Sequence, residues 1–452
     1  MENPNKKPHI LLLIDDEHRA DILPIEGNSQ IRTPTLDRFI DQGAYFRNAY
    51  TPSPICVPAR QCFLTGNYLE KCGTRGYGIP LPSEVVTIPG HLSRYGYHPV
   101  AAGKMHFADG SDQMHGWYER IGRDIRGRNG YEPADDPLHQ ATIFHEEGTG
   151  KWSQAKEITN ARVGMSSFMK QDKYTVDGAL MYLDEFFVDA THDRPGEGPL
   201  LLAVSLGCPH YPYQCPEELF NYYMQRVKPR VEDLPENFDC DNFFKIKVGK
   251  DVTYREAHRA TAAYYGMIEW ADTQFGRVIS KLEALNVLDD FVIVFLSDHG
   301  EMLGEKGLWE KQQYFDSSVR VPFFISWPQK FNGGSSIIKE NVSLVDLFPT
   351  LCEIAQVPIP SGLDGRSLVP LMEGRSDGWS NEVYSELYHP LNGPSVMVKQ
   401  DNMKYFRFEG RDWPEQLFNL DADPSENHNL IDNKAHVGDV KRLRAKVDGF
   451  MS

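Results

Sequence analysis

Short uninterrupted apolar runs occur at residues 10–14, 200–206, 291–296 and 321–325. Runs of that length without polar alternation predict strands buried on both faces of a mainly parallel sheet, so the expected class is α/β. Helical periodicity fills the intervals at 33–43, 253–285 and 343–355, the last stopping before a Pro-rich turn at 357–361. Between about 120 and 198 the chain turns polar, rich in Gly, Asp and His, and reads as a long excursion with one helix near 174–187. After Gly374 the pattern changes to short alternating stretches at 382–387, 395–400, 404–409 and 416–420, followed by a charged helix at about 437–450. That predicts a small antiparallel sheet with a terminal helix. The expected organisation is a main α/β domain over residues 1–375 and a smaller antiparallel-sheet subdomain over 376–452.

At 452 residues, 40% of them hydrophobic and 25% charged, the chain can bury a large core. A formal charge of −17 argues against nucleic acid as a partner, because phosphate-backbone binding is driven by clustered Lys and Arg releasing counterions. Residues 1–9 are polar and lead into an apolar run over 10–14 that is too short for a secretion signal or a membrane span. From the chain as given, a cytoplasmic protein without membrane attachment is expected. The Cys count of seven is odd and lacks paired metal-type spacing, which suggests neither a disulfide framework nor structural zinc. Cys62 and Cys72 read as core thiols.

Candidate chemistry clusters where the apolar runs stop. The first runs into Asp15, Asp16 and Glu17, the third into Ser297, Asp298 and His299, and the second into Gly207 and His210. Open α/β sheets bind ligands at the carboxyl ends of their strands, and carboxylates and imidazole gathered there suit a divalent cation.

The most specific signal is Pro54-Ile55-Cys56-Val57-Pro58-Ala59-Arg60, followed by Phe63-Leu64-Thr65-Gly66. Pro58 suits the first turn of a helix, which places Cys56 just before a helix N-terminus whose free amides favour an anion. The order Cys-x-Pro-x-Arg resembles the modification motif of type I sulfatases, in which the Cys becomes formylglycine. Similar landmarks extend over nearly the whole chain: Gly96-Tyr97 with Gly103-Lys104-Met105-His106, Cys208-Pro209-His210-Tyr211-Pro212, Ser297-Asp298-His299-Gly300-Glu301, and Lys311 ahead of Arg320-Val321-Pro322. Asp364-Gly365-Arg366-Ser367-Leu368 and the stretch from Leu417 to Pro424 resemble the family's C-terminal landmarks. Val57 and Pro99 depart from the usual small residue and Ser or Thr, without removing a reacting group. Within the family the chain is most similar to choline sulfatases and is related to phosphonate monoester hydrolases.

The resemblance implies the alkaline-phosphatase-like fold and a sulfuric ester hydrolase. It implies metal ligands Asp16, residue 56, Asp298 and His299, with Asp15 and Glu17 left open. An imidazole ligand favours Mn²⁺ ahead of Ca²⁺ or Mg²⁺. The formylglycine, hydrated to a gem-diol, would attack sulfur, with Arg60, Lys104 and Lys311 stabilising the non-bridging oxygens. His210, alone or with Lys311, would protonate the departing alcohol, and His106 would take the proton whose loss re-forms the aldehyde and expels sulfate. A formylglycine-generating maturation enzyme is the implied partner, and a small-molecule or saccharide sulfate ester is the implied substrate. The alternative is a phosphonate monoester or phosphodiester hydrolase on the same scaffold.

Overall fold

The computed structural model describes residues 7–76, 79–107, 114–122, 154–188, 198–230, 252–327, 330, 336–389, 393–408 and 415–451. The strands, in chain order, are β1 (His9–Asp15), β2 (Ala44–Tyr50), β3 (His98–Gly103), β4 (Glu119–Ile121), β5 (Arg162–Val163), β6 (Leu200–Ser205), β7 (Gln214–Cys215), β8 (Phe291–Ser297), β9 (Phe323–Ser326), β10 (Ser336–Ser343), β11 (Glu382–His389), β12 (Gly393–Gln400), β13 (Met403–Phe408) and β14 (Gln416–Asn419). Eight of them form the central sheet in the order β10-β2-β9-β8-β1-β6-β3-β4. Its pairings are parallel except at β9, which runs antiparallel to both β2 and β8. The sheet is thus mixed and mostly parallel, flanked by helices, as expected.

The uninterrupted apolar runs have a simple cause here. Leu11 and Leu13 of β1 face a core shared with the long helix Tyr254–Ala284 and the helix Ser167–Phe187. Ile10, Leu12 and Ile14 face the opposite core, with Phe63 and Leu64 of the helix Cys56–Thr65 and Leu347, Phe348 and Leu351 of the helix Leu347–Ile354. With both faces covered, every position of the strand must be apolar, and the period-2 signal vanishes. The Tyr254–Ala284 helix starts at a full capping box, Thr253 with Glu256, one residue inside the expected span of 253–285.

The four-stranded antiparallel sheet β11-β12-β13-β14 does alternate. Val396 and Val398 face the terminal helix Val437–Met451, through Val440, Leu443 and Val447, while Met397 faces Tyr50, Ile55 and Phe315 of the main body. One side of this sheet therefore braces Ile55, the residue before Cys56. Lys404 pins the junction: fully buried, it donates to Asp316 and pairs with Glu426 at 2.7 Å.

Several expectations shift. The helix expected near 174–187 begins earlier, at Ser167, where Ser166 caps it. β2, β3 and β10 were not anticipated; their mixed composition hides the sheet they join. About half of the excursion between 120 and 198, including Trp152, and the end of the strand expected to reach Glu409 lie outside the described residues. No described helix is long and apolar enough to cross a membrane.

Candidate active site

Parallel pairing of β6, β1 and β8 places three strand ends side by side, with Ile14 opposite Ser205 and Asp15 opposite Ser297. Asp16 follows β1, His210 follows β6, and Asp298 and His299 follow β8. β3, next to β6, delivers Lys104 and His106. This delivery depends on Gly103, at φ +86, where a Cβ would lie 2.0 Å from the Ser205 carbonyl oxygen.

Cys56 is the first residue of its helix rather than the residue before it. Its Sγ lies 3.1 Å from His299 Nε2 and 3.9 Å from Asp16 Oδ1. Asp16, Cys56, Asp298 and His299 present donor atoms all within 4.8 Å of one another, and all four residues are buried. His299 Nδ1 donates to the Gly300 carbonyl at 3.0 Å, which leaves Nε2 as the ring atom turned toward the cluster. That anchoring through the other ring nitrogen is the arrangement metal-bound imidazoles use. Two carboxylates, an imidazole and the side chain at 56 thus fit a divalent ion, and the mixed donor set suits a transition ion.

The charges in the cluster are mutually dependent. Burial raises the Asp16 carboxyl, but Lys104, His210, Arg60 and His299 outweigh it and hold the group well below the usual carboxylate range. Burial and Asp16 raise the Cys56 thiol, while Lys104, Lys311 and His299 bring it below its ordinary value. Burial lowers His299, yet Asp298 and Cys56 push it up to about 9.

Arg60 is placed differently from expectation. Its Nε donates to Asp298 Oδ2 (2.7 Å), one terminal nitrogen to the Lys104 carbonyl (2.6 Å) and Ser205 Oγ (2.8 Å), and the other to the Asp15 carbonyl (3.3 Å) and Asp16 Oδ2 (3.1 Å). Those five bonds use every N–H of a guanidinium. Arg60 therefore orients two carboxylates, and direct contact with a substrate oxygen would require breaking one of these bonds.

The residues left open also separate. Asp15 turns away, its Oδ2 bonded to His18 Nδ1 at 2.6 Å. Glu17, at φ 70, turns its side chain to Lys311 Nζ (2.8 Å) and His210 Nε2 (3.2 Å). Lys311 Nζ lies 2.7 Å from His210 Nε2, and His210 Nδ1 bonds the Tyr211 carbonyl at 2.8 Å. A neutral His210 anchored in this way accepts a hydrogen bond from the Lys311 ammonium. Burial and the Lys311 charge both lower its pKa, well below the ordinary imidazole value. Lys104 donates to Asp16. His106 is buried, and its carbonyl accepts from Gln61 of the Cys56 helix at 3.2 Å.

Sequence reasoning missed Ser205, Glu17 as a partner of Lys311, and Asp172. Asp172, buried on the Ser167–Phe187 helix, accepts from the amides of Gly207 (2.7 Å) and Cys208 (2.9 Å), which begin the loop carrying His210. Nothing in the local pattern marks it, because its partners lie 35 and 36 residues away. Asp172→Ala should strand two buried N–H groups and lower stability by about 2–5 kcal/mol, read as a shifted denaturation midpoint. An unchanged midpoint would show that water replaces the carboxylate.

Comparison with known proteins agrees with this geometry. The family profile described as Sulfatase matches residues 8–357, and one described as N-sulphoglucosamine sulphohydrolase, C-terminal, matches 304–451. A choline-sulfatase of Rhizobium meliloti (strain 1021) is 31% identical over 455 residues, covering 97% of this chain and 85% of that protein. An arylsulfatase of Clostridium perfringens (strain 13 / Type A) is 30% identical over 459 residues, covering 97% and 93%. Among solved structures, a phosphonate monoester hydrolase from Silicibacter pomeroyi superposes with a TM-score of 0.78 at 21% identity, covering 98% of this chain and 94% of that one. With one family profile spanning most of the chain and relatives at 30% identity or above along nearly its whole length, the protein belongs to the sulfatase family of enzymes.

Proposed function

We propose that this sulfatase releases inorganic sulfate from a sulfate monoester by way of a formylglycine generated from Cys56 by a maturation enzyme. The observation that carries the reading is the position of Cys56: a buried side chain at a helix N-terminus, inside a donor cluster of two carboxylates and an imidazole. The hydrated aldehyde supplies two hydroxyls on one carbon, one to attack sulfur and one whose deprotonation expels sulfate. Asp16, Asp298 and His299 would hold the divalent ion, Mn²⁺ first, with Ca²⁺ or Mg²⁺ as alternatives. When bound, the ion favours the ionised nucleophile and draws charge from the sulfuryl oxygens.

The protein's own groups do the rest. Arg60 keeps Asp16 and Asp298 in place through its saturated guanidinium. Lys104 and Lys311 present ammonium groups to the non-bridging oxygens, the kind of stabilisation whose loss typically costs about 3 kcal/mol per donor. His210 and Lys311 share one hydrogen bond and act as a unit at the leaving oxygen, with Lys311 as the proton reservoir and His210 as its acceptor and relay. His106 takes the proton that frees sulfate.

For the alcohol portion, we favour a cationic head such as choline. The choline-sulfatase relative, 31% identical over 455 residues, supports this choice. The metal-loaded, matured enzyme should hydrolyse choline sulfate faster than aryl sulfates, a sulfated monosaccharide or a matched phosphonate monoester. Faster turnover of the phosphonate would move the reading to phosphonate monoester hydrolysis on this scaffold. A sulfated sugar leading the series would retain sulfate hydrolysis and replace choline.

His210→Ala separates proton delivery from binding. If the His210–Lys311 unit protonates the leaving group, alkyl sulfates should slow by about 100-fold or more while activated aryl sulfates, whose phenolates leave with little help, change far less. Equal losses on both would make His210 a binding residue.

A further inference from the structure

Beyond the sulfate chemistry, one contact in the interior has no assigned role. Cys62 and Cys72 place their Sγ atoms 3.8 Å apart, the one thiol–thiol contact recorded among the described residues. Both are fully buried, in a small cluster with Leu69 and Val345. Cys62 belongs to the Cys56–Thr65 helix, six residues after Cys56 and directed away from the active site; Cys72 ends the single-turn helix Leu69–Cys72.

We propose that Cys62 and Cys72 are a redox modification site: oxidation joins them in a disulfide that fastens the helix carrying Cys56 and Arg60 to its neighbour. A disulfide needs sulfurs about 2.05 Å apart, so the pair must close by roughly 1.8 Å, within reach of side-chain rotation and small backbone adjustment. The chemistry at the two sulfurs is unequal. Cys72 Sγ accepts from the Thr74 amide at 3.4 Å. Its hydrogen bond with Cys62 lowers its pKa below the usual thiol value despite burial, whereas burial and the same bond push Cys62 up. Cys72 is therefore the attacking thiolate.

Access also favours Cys72. Glu70, Lys71 and Arg75 beside it are exposed, and Gly73 caps the turn at φ 80, so opening one short turn exposes its sulfur. The oxidant is a low-molecular-weight disulfide. The Cys72 thiolate attacks one of its sulfurs and expels a thiolate; Cys62, deprotonated, then attacks the Cys72 sulfur of the mixed disulfide and expels nothing but the second small thiolate. Two protein thiols lose two protons and two electrons, and the small disulfide becomes two thiols. The pairing closes a short loop and restricts the unfolded chain.

The test uses the intact enzyme. It is incubated with oxidised glutathione, unfolded in urea with iodoacetamide present so that every free thiol is blocked, and digested without reduction. The expected product is a linked pair of peptides containing Cys62 and Cys72 that separates on adding dithiothreitol. The thermal midpoint of the oxidised protein should rise by about 2–5 °C, and Cys72→Ser should show no rise. Because both sulfurs are buried, the oxidation is repeated during refolding from denaturant. Finding both Cys62 and Cys72 alkylated after both procedures, or Cys62 linked to a different Cys, would overturn the proposal. A linked pair with an unchanged midpoint would overturn the fastening.

Discussion

Cys56→Ala should reduce turnover by on the order of 10⁵-fold or more, the scale seen when an enzyme loses its nucleophile, while leaving the fold intact. The side chain packs inside a cluster whose other members are tied to one another independently: Arg60 bridges Asp16 and Asp298, and His299 is anchored on the Gly300 carbonyl. Removing one sulfur therefore deletes chemistry without releasing the scaffold. Mass spectrometry supplies the companion measurement, since wild-type protein made with a maturation enzyme should lose about 18 Da at residue 56, as conversion of a thiol to an aldehyde requires. Cys56→Ser is the sharper variant. A serine hydroxyl can accept the sulfuryl group once but has no second hydroxyl on the same carbon, so the expected result is a single turnover and a stable sulfated residue. Near-normal steady-state rates from either variant would remove residue 56 from the mechanism.

The second large effect concerns the metal. Asp298→Ala should lose both bound ion and activity, the latter by more than about 100-fold, because it deletes a donor and also the acceptor that holds Arg60 Nε. Asp15→Ala tests the register of the first strand end. Asp15 faces His18, not the cluster, so its removal should leave the metal content at the wild-type level and cost mainly stability. Elemental analysis of the two purified variants distinguishes them directly. Loss of metal from Asp15→Ala would mean that the cluster is wrongly drawn. After chelation, recovery should be best with manganese, since the set includes an imidazole; recovery with calcium alone would show that oxygen donors dominate.

Linear proximity carried much of the candidate site. Cys56 and Arg60 are one helical turn apart, Lys104 and His106 leave one strand, and Asp298 and His299 are adjacent, so each group could be recognised from its own segment. The apolar runs likewise declared a sheet covered on both faces, because burial on both sides forces every position of β1, β6 and β8 to be apolar. The period-2 stretches near the C-terminus announced an antiparallel sheet, since its two faces meet different cores.

What the chain's order could not decide was which of these groups meet, and in what orientation. Asp15, Asp16 and Glu17 are equivalent as letters; the backbone turn at Glu17 sends them to His18, to the donor cluster around Cys56, and to Lys311 with His210. Arg60 reads as an oxyanion donor until its five N–H groups are seen to be used by the protein. Asp172 and Ser205 carry no local signal, because their partners are 35 or more residues away and contact arises only when the helix packs on the sheet. Cys62 and Cys72 are ten residues apart in a segment that reads as core, and only the packing of one helix on the next brings their sulfurs into contact. Periodicity and motif report which faces are buried and which atoms can react. Pairing over long separations is settled by tertiary packing, because it depends on strand order and side-chain direction rather than on neighbours along the chain.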